Sequence, residues 1–349
     1  MTAPGQHLPG VSAPAGGTPS DGASSPVVAV VGATATGKSD LGVALAGELG
    51  GEVVNADASQ LYRGMDIGTA KLGVAQRHGI PHHQLDVLDV REEASVAAYQ
   101  ASARGDLAAI RGRGAVPVVV GGSGLYVRAL LDRLEIPPTD PGVRSRWEGE
   151  LARVGPEALH ELLAARDPLA ARSIEPRNGR RMVRALEVIE LTGRPFSATL
   201  PTRELLEPTV ILGLRTERPV LDERIATRAA RMWDRGLLEE VRELERAGLR
   251  EGRTAPRAVG YAQALRQLDG ELTRQEAVED TVVATRRLAR RQERWFGPDP
   301  RIRWLDAELP APQLLARALA EVAAGAEGRG AGTSPPSDPR RSVPGQTDG

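Results

Sequence analysis

The feature that most constrains this chain is a glycine-bracketed loop between an apolar run and a helix-like pattern, in VVAVVGATATGKSDLGVALAGELG (residues 27–50). It satisfies the pattern G-x-x-x-x-G-K-[ST]. In such a loop the backbone amides and the following helix N-terminus bind an anion, the lysine neutralises phosphate oxygens, and the serine hydroxyl reaches Mg²⁺. The pattern predicts a phosphate-binding loop consisting of Gly32, Ala33, Thr34, Ala35, Thr36, Gly37, Lys38 and Ser39.

Short valine-rich runs predict a parallel sheet around this loop. VVAVVG, GEVVNAD and VPVVVGG have the length and continuous apolarity of strands covered on both faces, and helical patterns separate them. PTVILGLRT (208–216) and IRWLD predict two later strands. Strands alternating with helices indicate an α/β fold with right-handed crossovers. We therefore expect a P-loop NTPase-like parallel sheet as the core.

A helical insertion interrupts the predicted sheet. Between about 138 and 200 the sequence predicts only helices, with stop signals at Gly155 and Gly193. Both chain ends are rich in Gly, Pro, Ala and Ser and nearly free of large apolar side chains, so we expect disordered tails. The expected organisation is a tail at 1–25, core at 26–137, an all-helical insertion domain at 138–205, core at 206–324, and a tail at 325–349.

Composition excludes several classes of protein. The chain has 0 cysteines, which excludes disulfides and thiolate metal sites. No apolar run approaches the roughly 20 residues of a membrane span, and the N-terminus does not resemble a secretory signal, so we expect a cytoplasmic protein with no membrane partner. A zinc site at His82 and His83 is disfavoured because no other histidine lies at ligand spacing.

The charge pattern leaves room for a local nucleic-acid interface. The net charge of −1 argues against a globally basic binder, but arginines cluster in RSIEPRNGRRMVRALE and in TRRLARRQERW. The second cluster predicts a basic helix facing phosphates, with Leu288, Trp295 and Phe296 buried in the core. A charged, solvated helix surface is the alternative interpretation of the first cluster.

The phosphate-binding loop alone does not determine the reaction. A nucleotide hydrolase or kinase usually supplies an acid at the end of an apolar strand to hold Mg²⁺, but GGSGLY follows VPVVV here. Asp57 follows the strand in EVVNAD, and for an isolated aspartate in this position the default interpretation is the N-cap of the next helix.

The run NADASQLYRGMDIGTAK (55–71), together with GATATGKS, closely resembles the tRNA dimethylallyltransferases, also called tRNA isopentenyltransferases. The resemblance continues through GIPHHQLDV, VVVGGSGLYVRAL, NGRRMVRALEVIELTG, DERIATRAARMWDRGLLEEV, PRAVGYAQ and TRRLARRQERWF, and covers about 27–306 in the family's order. It implies transfer of a dimethylallyl group from dimethylallyl diphosphate to N6 of the adenosine immediately 3′ of the tRNA anticodon.

The resemblance also implies roles for individual residues. The loop would hold the diphosphate with Mg²⁺ on Ser39, Asp57 would be the general base, and Thr34 and Arg228 would lie near the diphosphate. Arg224, Arg228 and Arg231 share one helix face by spacing. The implied tRNA-binding residues are Asp57, Ala58, Ser59, Gln60, Ser123, Arg144, Arg180, Arg181, Arg184, Arg257 and Gly260. Ser123 departs from an expected threonine, and Ala262 replaces a frequent polar or basic residue.

Three functions are compared on these grounds. The leading one is a prenyltransferase whose partners are the tRNA anticodon stem-loop and dimethylallyl diphosphate, acting as a monomer. A small-molecule kinase or NTPase is supported by the loop alone and has little need for an arginine-rich helical insertion. A non-catalytic RNA-binding protein would not need Asp57, Thr34, Lys38 and Arg228 together.

Overall fold

Six parallel strands form one sheet in the computed structural model, which describes residues 25–199 and 203–327. Their order across the sheet is β3-β2-β4-β1-β5-β6. This confirms the predicted α/β class and the two late strands. The strands are β1 (Val27–Gly32), β2 (Gly51–Asn55), β3 (His82–His83), β4 (Val116–Gly121), β5 (Thr209–Arg215) and β6 (Ile302–Asp306).

The strand β1 lies inside the sheet, between β4 and β5. Every residue in it is apolar or glycine, and all six are buried. Val30 pairs with Val120 of β4 on one side and with Leu212 of β5 on the other. Its side chains alternate between the two faces of the sheet, where they enter two separate hydrophobic clusters. A strand that is covered on both faces carries no polar alternation, which explains the continuous apolar runs.

Helices cover both faces and extend the molecule beyond the sheet. Those of the core are α1 (Lys38–Leu49), α2 (Val96–Gly112), α3 (Gly124–Leu131), α7 (Arg218–Asp234), α8 (Leu237–Arg246), α9 (Tyr261–Leu268), α10 (Arg274–Phe296) and α11 (Ala311–Glu327). The long pattern after residue 216 divides into α7 and α8 at Gly236, which has a φ of 94°. The helix α11 continues past residue 325, and residues 1–24 and 328–349 of the expected tails lie outside the described residues.

The segment between α3 and β5 contains α4 (Pro141–Arg166), α5 (Pro168–Ser173) and α6 (Gly179–Thr192). Both predicted stop signals act there: Gly155 breaks α4 with a φ of 81°, and Gly193 caps α6 in the left-handed region. The three helices share a hydrophobic cluster of their own, which includes Trp147, Leu163 and Leu186.

None of the helices in the described part of the chain combines the length and the apolar character that crossing a bilayer requires.

Candidate active site

An open cavity of about 650 Å³ lies where β1, β2 and β4 end. The phosphate-binding loop forms its floor, the segment after β2 forms one wall, and α7 forms the opposite wall. The predicted residues that line it are Thr34, Ala35, Gly37, Lys38, Ser39, Asp57, Gln60, Arg224, Arg228 and Arg231. The structure thus brings the three residues expected to be catalytic into one space.

The floor of the cavity owes its shape to the loop's own glycines and hydrogen bonds. Gly32 has a φ of 137°, and a Cβ there would lie 2.5 Å from the carbonyl oxygen of Leu214, so only glycine fits. The hydroxyl of Thr36 donates to the carbonyl of Ala33 at 2.9 Å, and Lys38 Nζ donates to the same oxygen at 2.5 Å. The loop therefore holds its curvature through its own side chains.

Three charged groups influence each other at this floor. Burial lowers the pKa of the Lys38 ammonium to about 8; the Asp57 carboxylate opposes this shift, and the Arg228 guanidinium adds to it. The pKa of Arg228 is also lowered by burial, again opposed by Asp57. Two cations and one carboxylate thus face a single space, which suits a ligand that carries several negative charges.

Asp57 combines the two roles that the sequence left open, since it caps the next turn and also lines the cavity. Asn55, the last residue of β2, fixes its backbone, since the Asn55 amide oxygen accepts from Asp57 N at 3.0 Å. Asp57 Oδ1 accepts from Ser59 N at 3.0 Å and caps the 3₁₀ turn Ala58–Leu61, as the helix-cap interpretation predicts. The same residue lines the cavity, so the cap does not withdraw the carboxylate from the site.

The wall beside Asp57 joins several of the residues expected to bind tRNA. The hydroxyl of Ser123, at the position where threonine was expected, accepts from Ala58 N at 3.1 Å. Gln60 Nε2 donates to the carbonyl of Thr69 at 3.2 Å. These contacts tie the end of β4 and the loop before Lys71 to the turn that follows Asp57.

The arginines of α7 lie on one face of the helix, as their spacing predicts. Arg224, Arg228 and Arg231 all line the cavity, and Arg235, which the sequence analysis missed, continues the row one turn later. Arg228 Nη1 donates to Thr34 Oγ1 at 3.3 Å, and Nη2 donates to the carbonyl of Thr69 at 3.2 Å. This one guanidinium therefore joins the floor to the wall.

Two further charged residues support the wall and were not recognised from the sequence. Lys71 is buried, and its Nζ contacts Asp66 Oδ1 and Asp86 Oδ1 at 2.6 Å each. The Glu240 carboxylate accepts from three consecutive backbone amides, those of Asp66 at 3.2 Å, Ile67 at 2.8 Å and Gly68 at 3.4 Å. No local motif indicates the Glu240 contacts, because Glu240 lies more than 170 positions from the amides that donate to it.

Within the helical segment, two of the expected tRNA-binding arginines have structural partners. Arg144 and Arg184 each donate to Glu187 Oε2 at 2.9 Å, and Arg184 also donates to the carbonyls of Pro137 and Pro138. Burial alone would raise the pKa of the Glu187 carboxyl, but the hydrogen bonds from both arginines outweigh it and hold that pKa below its ordinary value. Arg144 and Arg184 thus stabilise the helical segment, and Arg184 also fixes the two prolines that lead into it.

Arg180 and Arg181 of the same segment are exposed. Neither makes an ion pair to any of residues 25–199 or 203–327. Arg257 is likewise exposed, while Gly260 is buried beside Gly68 with a φ of 92° and donates from its amide to Gln263 Oε1 at 2.8 Å. Of the expected tRNA-binding set, Arg180, Arg181 and Arg257 are thus exposed, Gly260 is buried, and the other members are half-buried.

The expected burial of the α10 side chains is wrong for Trp295. Phe296 is buried and Leu288 is half-buried, but Trp295 remains 42% exposed. Its ring packs against Gly124, and the centre of the ring lies 6.0 Å from the Arg128 guanidinium, while the neighbouring Phe296 points into the core.

His82 and His83 form the short edge strand β3, and His83 Nε2 contacts Glu52 Oε2 at 2.6 Å. Across the part of the chain that the structure describes, no cluster of three or more His, Cys, Asp or Glu side chains could hold a metal ion.

Comparison with known proteins identifies the family. The family model described as IPP transferase matches residues 60–299. The tRNA dimethylallyltransferase of Kineococcus radiotolerans is 60% identical over 304 residues, covering 85% of this chain and 96% of that protein. The tRNA dimethylallyltransferase of Streptomyces coelicolor is 61% identical over 279 residues, covering 80% of this chain and 89% of its own length.

Solved structures agree at the level of fold. The crystal structure of the tRNA isopentenylpyrophosphate transferase of Bacillus halodurans superposes with a TM-score of 0.66 at 37% identity and covers 88% of this chain and 98% of its own. A eukaryotic dimethylallyltransferase captured acting on tRNA gives a TM-score of 0.70 at 28% identity, over 81% of this chain and 74% of its own. On the sequence match and the fold, the chain belongs to the family of tRNA dimethylallyltransferases.

Proposed function

We propose that this tRNA prenyltransferase takes its dimethylallyl group from dimethylallyl diphosphate and transfers it to N6 of the adenosine immediately 3′ of the anticodon. The observation that carries the proposal is the shared cavity, in which an anion-binding loop faces a carboxylate. The loop suits the diphosphate of the donor, and Asp57 suits the amine of the acceptor. The product would be N6-(dimethylallyl)adenosine in the tRNA, with diphosphate as the second product.

In the proposed reaction, the N6 nitrogen attacks the allylic carbon while the bond from that carbon to the diphosphate oxygen breaks. Negative charge grows on the departing diphosphate, so Lys38, Arg228 and the loop amides stabilise the transition state more than the ground state. Thr34 holds Arg228 in place through its hydroxyl. Asp57 accepts the proton of the amine, which becomes acidic as the new bond forms, so a carboxylate is a sufficient base.

A magnesium ion fits the donor set of this site. Mg²⁺ keeps several waters and is usually held by one or two protein oxygens together with substrate phosphates, so it does not require a cluster of carboxylates. Ser39 lines the cavity beside Lys38 and offers a hydroxyl oxygen for it. When bound, Mg²⁺ would neutralise part of the diphosphate charge.

Recognition of the tRNA anticodon stem-loop would use both parts of the molecule. The target adenosine must leave its stack to reach Asp57, and the turn Ala58–Leu61 with Ser123 forms the wall that it would meet. We assign the contacts with the anticodon stem-loop outside the cavity to two regions. These are the helical insertion domain at 138–205, through exposed Arg180 and Arg181, and Arg257 of the core. We expect the chain to act as a monomer in the cytoplasm, where tRNA is available.

A kinase or NTPase is the competing assignment for a phosphate-binding loop. In such enzymes a carboxylate at the end of a neighbouring strand holds Mg²⁺. Here β4 ends at Gly121 and continues with Gly122 and Ser123. The loop therefore lacks the acidic neighbour on β4 that ATP hydrolysis would use.

The test is transfer of radiolabelled dimethylallyl from its diphosphate to an anticodon stem-loop RNA, run beside ATP hydrolysis. The proposal predicts label in the RNA that disappears when the adenosine next to the anticodon is replaced, and no appreciable ATP turnover. ATP hydrolysis without label transfer would refute the proposal in favour of an NTPase.

A further inference from the structure

One buried glutamine of α10 bridges the phosphate-binding loop and the segment that follows β4. Gln292 is 7% exposed. Its Oε1 accepts from the backbone N–H of Thr34 at 2.8 Å, and its Nε2 donates to the backbone carbonyl of Gly122 at 2.9 Å. The fit is close, because a Cβ on Gly122 would lie 2.4 Å from Gln292 Nε2.

The two ends of this bridge lead to the two proposed substrates. Thr34 is part of the phosphate-binding loop and holds Arg228. Gly122 precedes Ser123, whose hydroxyl accepts from Ala58 N at 3.1 Å, and Ala58 follows Asp57 directly. Gln292 therefore lies between the loop that would hold the diphosphate and the turn that presents the carboxylate.

Glutamine is the residue that satisfies both partners. Its amide carries a donor and an acceptor on one planar group, whereas ionised glutamate lacks the donor and methionine offers only a weak acceptor. A buried backbone N–H or C=O without a partner is costly, so each loop would shift to find another partner if the amide were lost. Such a shift changes the spacing of reacting groups, to which transfer rates are very sensitive.

We propose that Gln292 is a positioning residue for the transfer reaction, which sets the spacing between the phosphate-binding loop and the turn after Asp57. It contacts neither substrate and acts only through Thr34 and Gly122. The inference rests on the proposed function, since it assumes that these loops hold the donor and the acceptor.

The first test compares Gln292→Met with the unaltered enzyme in steady-state transfer to an anticodon stem-loop. We expect kcat to fall by about 10- to 100-fold. We also expect weaker competitive inhibition by inorganic diphosphate and an unchanged dissociation constant for the RNA. A matched control is Gln100→Met, because Gln100 Nε2 donates to the carbonyls of Ala129 and Leu134, both at 2.8 Å and outside the cavity. That variant should lose stability while retaining kcat.

The second test separates positioning from mere stability and does not depend on the folding of the methionine variant. Gln292→Glu keeps the acceptor for Thr34 N, but its carboxyl can donate to the Gly122 carbonyl only when it is protonated. Burial favours the neutral acid. The ratio of its kcat to that of the unaltered enzyme should therefore rise as pH is lowered from 8 to 6, because any pH dependence that the two proteins share cancels in the ratio.

The results distinguish failure of the positioning role from failure of the proposed function. A kcat within twofold of the unaltered value in folded Gln292→Met, or a ratio for Gln292→Glu that does not change with pH, would overturn the inference. Absence of transfer by the unaltered enzyme would instead refute the proposed function, and this inference with it.

Discussion

The guanidinium of Arg228 donates to the hydroxyl of Thr34 at 3.3 Å, which joins the middle of α7 to the phosphate-binding loop. The same guanidinium donates to the carbonyl of Thr69. Desolvation of this cation lowers its pKa, and the nearby Asp57 carboxylate offsets part of that effect. Arg228 is therefore preorganised before an anionic ligand arrives, which favours stabilisation of charge that develops during the reaction.

Replacing Arg228 tests this preorganisation. Arg228→Ala should lower kcat/KM for dimethylallyl diphosphate by about 100-fold or more, because one preorganised donor to a developing oxyanion is lost. Arg228→Lys should recover only part of the rate, since an ammonium cannot contact Thr34 and Thr69 in the same fork. Arg242→Ala is the control, since Arg242 is exposed and pairs with Glu239. Equal rates for Arg228→Ala and the control would contradict the assigned role.

The lowered pKa of Lys38 predicts a pH dependence for anion binding. With a pKa of about 8, Lys38 is charged below that pH and loses its charge as pH rises through it. Affinity for inorganic diphosphate should therefore decline between pH 7 and 9, as measured by titration calorimetry. Lys38→Arg stays charged throughout this range and should show a flatter profile. Parallel profiles for the two proteins would show that Lys38 does not control binding.

Glu240 supports the wall of the cavity from α8. Its carboxylate accepts from Ile67 N and from the hydroxyl of Tyr261, at 2.8 and 2.6 Å. Glu240→Ala leaves these donors unpaired, so we expect the free energy of unfolding to fall by about 1–3 kcal/mol. The same variant should bind dimethylallyl diphosphate more weakly, because the wall that contacts Arg228 loosens. Glu243→Ala, on an exposed position of the same helix, should be neutral in denaturant titrations.

The exposed arginines of α6 predict an electrostatic contribution to tRNA binding. Arg181→Ala should weaken binding of the anticodon stem-loop and reduce the salt dependence of its affinity by about one phosphate contact. The rate at saturating RNA should not change. Arg153→Ala serves as a control in the same segment, because Arg153 already pairs with Glu150. Unchanged affinity of the Arg181→Ala protein near physiological salt would remove this helix face from the interface.

Local patterns accounted for the sheet and the loop, and failed where contacts join distant segments. Gly32 and Lys38 could be assigned because the loop's shape and chemistry reside in eight consecutive residues. Glu240 and Gln292 could not, since each acts on backbone groups at least 170 positions away. Nothing in a run of charges distinguishes a free arginine from one that satisfies a buried carboxylate.

The arginines of the helical insertion show this limit most clearly. Arg181 and Arg184 lie one turn apart in the same arginine-rich run, yet Arg181 is exposed and Arg184 pairs with buried Glu187. Trp295 shows the converse error, because a tryptophan beside a buried phenylalanine suggests a core position that the direction of α10 does not provide. Tertiary packing, and not propensity, decided both cases.

The most direct test of the account is the single-turnover rate of Asp57→Ala with saturating donor and RNA, measured beside its affinity for the stem-loop. If Asp57 takes the proton of the amine, the rate should fall by about 10²- to 10⁴-fold while the dissociation constant for RNA stays within a fewfold of the unaltered value. A dissociation constant that rises in step with the loss of rate, or a rate that is unchanged, would contradict the account.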